Sequence, residues 1–291
     1  MAQFILSAFA DEASKDLDRQ IGALLRNRIA CLEPRSVDGA VLDKTDDEVR
    51  EIRRKLDAAG LGVSAFGSPI GKYSIEEPFA PHLASFRRAM EICHLLGTNR
   101  MRVFSFHVPQ DALTQHRDEV LRRMTVFAEE AKKEGILLCH ENEKKIYGQN
   151  PAEVRDLLAN VPGLRGVFDA SNYLQCHDDP IEGYEATVPA LEYLHIKDAE
   201  PQGKYMVPVG KGAGRYDEIL RRVDEVTDRT VTLTLEPHLF QFQHFKNIDE
   251  DILKTGLYFE TALDAFDCAA AALRSLLQSL GFHEEEKVWK K

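Results

Sequence analysis

The chain has 291 residues, a length that fits two average domains or one barrel of alternating strands and helices. With 37 Lys and Arg against 48 Asp and Glu, the net charge is −11. That balance disfavours a nucleic-acid surface, whose affinity rests on neutralising phosphates.

In chain order, apolar runs of strand character occupy 4–9, 29–33, 62–66, 100–106, 136–141, 164–169, 191–196 and 231–236. Residues 1–9 enter the first run directly, without a basic leader and cleavage site, and no apolar run is long enough to cross a bilayer. Amphipathic stretches separate the strands at roughly 15–27, 46–59, 80–97, 115–134, 151–160, 180–189 and 215–226. A final helical block lies at about 254–281. Pro151 can open a helix after Asn150, and Gly60, Gly97 and Gly135 follow helix ends. No Pro/Ser/Gly-rich linker divides the chain. The alternation predicts an α/β fold, a closed (β/α)8 barrel in one domain over 1–291, in preference to a doubly wound open sheet. Cys31, Cys93, Cys139, Cys176 and Cys268 are odd in number and lack CxxC spacing, so they read as reduced residues of a cytoplasmic protein.

Glu141, Asp169, His195 and Glu236 stand at or just after the ends of the last four strand runs. A barrel of parallel strands carries every such end to one rim, so these groups form a candidate metal site. Alternation places Thr232, Thr234 and Glu236 on one face of the last strand, with Leu233 and Leu235 on the other. Tyr193, His195 and Lys197 likewise share a face, which puts Lys197 one step above His195 at the height of a substrate. His140 has the opposite parity to Glu141 and reads as a histidine hydrogen-bonded between sheet and helix layer.

Other polar residues are candidates for substrate binding. Lys72 follows a Gly-containing loop, and His238 has the parity of Glu236. Arg102 either lines the barrel or pairs with a carboxylate such as Glu33. The run 210–214 can cradle a phosphate through backbone amides or form a mobile loop. Lys197 and Asp198 either meet substrate or pair with neighbours and hold His195.

The segments 139–148, 168–172, 194–199 and 235–238 resemble those of the sugar phosphate isomerase/epimerase group of the xylose-isomerase-like barrel superfamily. Segments 66–72, 102–106 and 209–212 add to the resemblance, which covers nearly the whole chain in order. It implies one divalent ion held by Glu141, Asp169, His195 and Glu236, with both glutamates also serving as base and acid. Three carboxylates and one imidazole suit manganese or magnesium and tolerate cobalt or zinc. The expected reaction removes a proton next to a carbonyl of a small carbohydrate, through an enediolate that the metal stabilises. Within the superfamily, an inosose-type dehydratase is the alternative. A non-catalytic sugar-binding barrel and an endonuclease IV-like nuclease fit less well. The nuclease needs further histidines where this chain has Gly67, Ser68, Ser105 and Asn172. The apolar excess of the last block predicts a homo-oligomer, a dimer.

Overall fold

The computed structural model describes residues 1–240 and 258–291. Its barrel strands are β1 (Gln3–Ala8), β2 (Cys31–Leu32), β3 (Gly62–Val63), β4 (Arg100–Val103), β5 (Leu137–Glu141), β6 (Arg165–Asp169), β7 (Leu191–Ile196) and β10 (Thr230–Leu235). They pair in parallel around a ring: β10 lies beside both β7 and β1, and β1 continues through β2 to β3. The ring closes where Phe66 bridges Met101 of β4, the Phe66 amide donating to Arg100 O and the Arg102 amide to Phe66 O, each at 2.9 Å.

The helices α1 (Leu17–Arg26), α2 (Asp46–Ala58), α3 (Phe79–Leu96), α4 (Leu113–Lys133), α5 (Pro151–Asn160), α7 (Pro180–Thr187) and α8 (Tyr216–Val226) cover the outside of the ring. Their starts follow local chemistry. Thr45 and Glu48 form a reciprocal capping box on α2, and Asn150 caps α5 with Pro151 in its first turn. The last helix, α9 (Ala262–Ser279), buries Ala265, Phe266, Ala269, Ala270, Leu273 and Leu277. The start of the expected helical block, 254–257, lies outside the described residues.

Four features depart from the expected pattern. The run expected as a strand over 100–106 leaves the ladder after Val103. Phe104 N and Phe106 N donate to Ile70 O and Gly71 O, each at 2.8 Å, so this stretch pairs with the loop after β3. Gly71 permits the approach, having φ +88°, and a Cβ there would stand 2.0 Å from Phe104 O. A short helix, α6 (Ala170–Gln175), follows β6 directly, and a small antiparallel hairpin pairs β8 (Asp198–Ala199) with β9 (Met206–Val207). Finally, β11 (His283–Glu285) and β12 (Val288–Lys290) form a hairpin that adds to β1 antiparallel, with Phe4 opposite Trp289.

Candidate metal and active site

Each member of the cluster arrives at the rim by strand register. Asp169 and His195 are paired neighbours on β6 and β7, and Thr234 of β10 is the partner of His195. Glu236 continues β10 by one residue, its amide donating to Ile196 O at 3.1 Å. Asn142 clamps the ends of β5 and β6 together: its Nδ2 donates to Asp169 O at 2.9 Å and its Oδ1 accepts the Asp169 amide at 3.0 Å. Asp169 Oδ1 accepts the Asn172 amide at 3.0 Å and so caps α6, while Asn172 Nδ2 donates to Glu141 Oε1 at 3.3 Å. Neither asparagine carried a signal in periodicity, because their partners, backbone groups and the Glu141 carboxylate, are brought close by the pairing of β5 with β6.

The four side chains are buried and converge. One ligand atom from each of Glu141, Asp169, His195 and Glu236 lies within 4.8 Å of every other. Two donors at about 2.0–2.6 Å from a common ion can stand no more than about 5 Å apart, so the cluster has the dimensions of a divalent site. His195 Nδ1 faces inward, 2.9 Å from Glu141 Oε1 and 3.6 Å from Glu236 Oε2. Lys197 Nζ stands 2.9 Å from Asp169 Oδ2. Neither His195 Nδ1 nor Asp169 Oδ2 makes a well-aligned hydrogen bond despite those short distances, and both are sealed from solvent. Three carboxylates and one imidazole nitrogen turned toward a common centre form a mainly oxygen-rich donor set that fits a divalent cation.

The electrostatics agree. Burial alone would lower the His195 pKa, but Glu141 and Glu33 outweigh it and raise it to about 10. Burial, opposed by Lys197 and aided by Glu141 and Glu236, raises Asp169 to about 6. Burial also works against ionised Glu141, yet His195 and Arg102 bring its pKa below the usual carboxylate range. For Glu236, Lys197, His238 and Arg35 do the same. The carboxylate cluster therefore attracts positive charge at its centre.

Cations ring the cluster. Arg102 gives Nη1 to Glu141 Oε2 at 2.8 Å and its other donors to Ser68 O and Gly67 O. The expected alternative partner, Glu33, is not reached, because Arg102 is already anchored by the loop after β3. Arg35, which no sequence pattern marked, gives Nη1 to Glu236 Oε1 at 2.5 Å and Nε to Asp11 Oδ2 at 2.8 Å. His238 lies between Glu12, at 3.0 Å, and Glu236, at 3.3 Å. Burial works to deprotonate His238, but these two carboxylates raise it to about 9. That makes Glu12, Glu236 and His238 an ion-paired group. Lys72 stands further out, 3.1 Å from Glu143 and over the Phe104 ring.

Above the cluster opens a cavity of about 480 Å³, lined by Arg35, Lys72, Arg102, Glu141, Lys197, Glu236 and His238, among others. It has the size of a small-molecule site. The run 210–214 does not contribute a phosphate cradle. The amides of Gly210, Gly212 and Gly214 all donate to the Asp198 carboxylate, at 2.9, 3.1 and 2.8 Å, so their donors are already used within the protein. Asp198 thereby ties this loop to the end of β7. His140 bonds Ser105 Oγ at 2.8 Å, away from the cluster.

The molecule is thus a closed parallel α/β barrel that carries, at its C-terminal rim, a buried carboxylate and histidine cluster able to hold a metal ion. The chain belongs to the xylose isomerase-like TIM barrel family, whose model it matches over residues 29–257. No curated protein matches it in sequence. Among solved structures it is similar to the IOLI protein with a bound zinc atom, at TM-score 0.72 and 15% identity, covering 95% of this chain and 99% of the other. The probable 3-DHS dehydratase AsbF of Bacillus anthracis superposes at TM-score 0.71 and 15% identity, covering 94% and 99%. An L-ribulose 3-epimerase superposes at TM-score 0.68 and 15% identity, covering 97% and 96%.

Proposed function

We propose that this protein is a divalent-metal-dependent isomerase or epimerase of a small carbohydrate. The observation that carries the reading is the convergence of Glu141 from β5 and Glu236 from the end of β10 on His195 Nδ1 beneath one cavity. Glu141, Asp169, His195 and Glu236 would hold the ion, manganese or magnesium in preference to cobalt or zinc. When bound, the ion supplies Lewis-acid stabilisation of negative charge on a carbonyl oxygen.

The protein's own groups do the proton chemistry. Glu141 and Glu236 are ionised and line the cavity, so they are the groups placed to take a proton from carbon next to the carbonyl and to return one, with the order set by the substrate's stereochemistry. Arg102 and Arg35, one on each glutamate, restrict how those carboxylates turn. Lys197, His238 and Lys72 line the cavity at increasing distance from the cluster and are proposed to orient substrate oxygens. We also propose a cytoplasmic homodimer. Among the described residues, no helix is long and apolar enough to cross a membrane.

One observation favours a second reading, a dehydratase. His238 stands 3.3 Å from Glu236 within the same cavity, where a departing hydroxyl would need a proton donor. Both readings share the first proton removal. Incubating the manganese-loaded protein with ketoses, sugar phosphates and inososes in heavy water distinguishes them by mass and chromatography. An isomerase conserves composition and places deuterium on the carbon that changes, whereas a dehydratase loses water. Absence of turnover across the panel with metal bound would leave a binding barrel instead.

A further inference from the structure

Glu33 is wholly buried at the C-terminal end of β2, yet no lysine or arginine pairs with it. Its carboxylate is satisfied by hydroxyls and a ring nitrogen. Tyr193 Oη donates to Oε1 at 2.9 Å, Thr234 Oγ1 donates to Oε2 at 2.8 Å, and His195 Nε2 stands 3.3 Å from Oε1. A buried carboxylate whose direct partners are two hydroxyls and an imidazole, with no lysine or arginine among them, is costly to keep, and an apolar residue would fill the layer below the rim more cheaply. The arrangement has a use only on the upper side of the imidazole. With Nε2 turned down to Glu33, Nδ1 is turned up between Glu141 and Glu236. Phe9 fixes the ring plane from the side, edge to face at 5.1 Å and 76°.

We infer that Glu33 is a positioning residue for the metal centre: it accepts the proton of His195 Nε2, fixing the tautomer whose Nδ1 lone pair faces the ion, and so sets metal affinity. The inference rests on the metal site proposed above. Tyr193 and Thr234 in turn hold the carboxylate, so a residue following an element as distant in sequence as β2 prepares a ligand on β7. An outer partner of a ligating histidine typically governs affinity by 10-fold to 100-fold. The amide of Glu33→Gln keeps the shape but weakens acceptance, or turns its NH2 toward Nε2 and favours the wrong tautomer.

Manganese titration, with free ion followed by electron paramagnetic resonance, tests this on wild-type protein, Glu33→Gln and Tyr193→Phe. Glu33→Gln should weaken the manganese Kd by about 10-fold to 100-fold. Tyr193→Phe removes one of the two hydroxyls that hold Glu33 and leaves Thr234 in place, so it should weaken the Kd by less than Glu33→Gln does. Nitrogen-15 shifts of the His195 ring, recorded with diamagnetic magnesium in place of manganese, provide a signature that packing alone would not move: protonated Nε2 in metal-loaded wild type, and a changed tautomer balance in Glu33→Gln. If Glu33→Gln fails to fold, the Glu33→Asp protein should show the same weakening through a shortened reach. Wild-type affinity and ring shifts in either Glu33 variant would overturn the inference while leaving the metal site intact. Absence of manganese binding by the wild type would overturn the metal site itself.

Discussion

Glu141 and Glu236 share a role in the proposed chemistry but not an environment. Both line the cavity, but Glu141 meets Arg102, His195 and Asn172, whereas Glu236 meets Arg35, Lys197 and His238. Guanidinium groups remain protonated in proteins, so Arg35 and Arg102 orient the carboxylates without accepting their protons. Each Glu→Gln change should lower turnover at least about 100-fold, the usual scale for a lost general acid or base. Metal content measured beside the rate separates lost proton transfer from lost ion. Asp169→Asn and His195→Ala should act mainly through metal affinity, so excess manganese should restore part of their activity. Near wild-type turnover of the Glu236→Gln protein with its metal retained would exclude a two-glutamate mechanism. At this scale the sequence was legible where a polar residue ended an apolar run, as at Glu141, Asp169, His195 and Glu236. Arg35, Asn142 and Glu33 were not legible as site residues, since their meaning lies in partners from other strands.

Among elements, the strands buried on both faces announced themselves as apolar runs, and the outer helices as 3.6-residue periods. What escaped had neither signal. Residues 170–174 of α6 are all buried, so that helix shows no polar stripe to set a period. The β11–β12 hairpin turns through Glu286 and Lys287 with φ of +49° and +66°, a conformation usually marked by Asn or Gly and here carried by neither. What stabilises it is packing. Trp289, the only tryptophan, is 1% exposed, with Arg274 5.3 Å from its ring centroid, while Phe282 meets Phe4 at 4.9 Å. Trp289→Ala should therefore cost about 3–5 kcal/mol, read by denaturant unfolding followed with circular dichroism. In wild type, tryptophan emission should redden in the same transition as the loss of helix. An earlier fluorescence change would show that the hairpin opens as a separate unit.

Across the whole molecule, Asp224 on α8 joins segments that enclose the barrel. Its Oδ1 accepts the Ala2 amide at 2.8 Å just before β1, and its Oδ2 receives Lys291 Nζ at 2.6 Å just beyond β12. Burial alone would raise its pKa, but Lys291 and the Ala2 amide more than offset this, and the folded value lies below the ordinary 3.8. The sign of the pH effect follows from that direction. Because the folded pKa is lower than the unfolded one, the unfolded chain binds the proton more readily. The contribution of Asp224 is then complete above about pH 5 and is lost as pH falls through the unfolded value toward the folded one. Hydrogen bonds to a charged group of this kind contribute about 1.5–3 kcal/mol. Asp224→Asn should remove a comparable amount at pH 7, measured by urea unfolding, and the gap between variant and wild type should narrow steadily below pH 4. Carboxylates of the metal cluster titrate in both proteins and cancel in that difference. A gap that stays constant from pH 7 to pH 3 would mean that Asp224 holds the two segments through shape alone, with its charge contributing nothing to closure of the barrel.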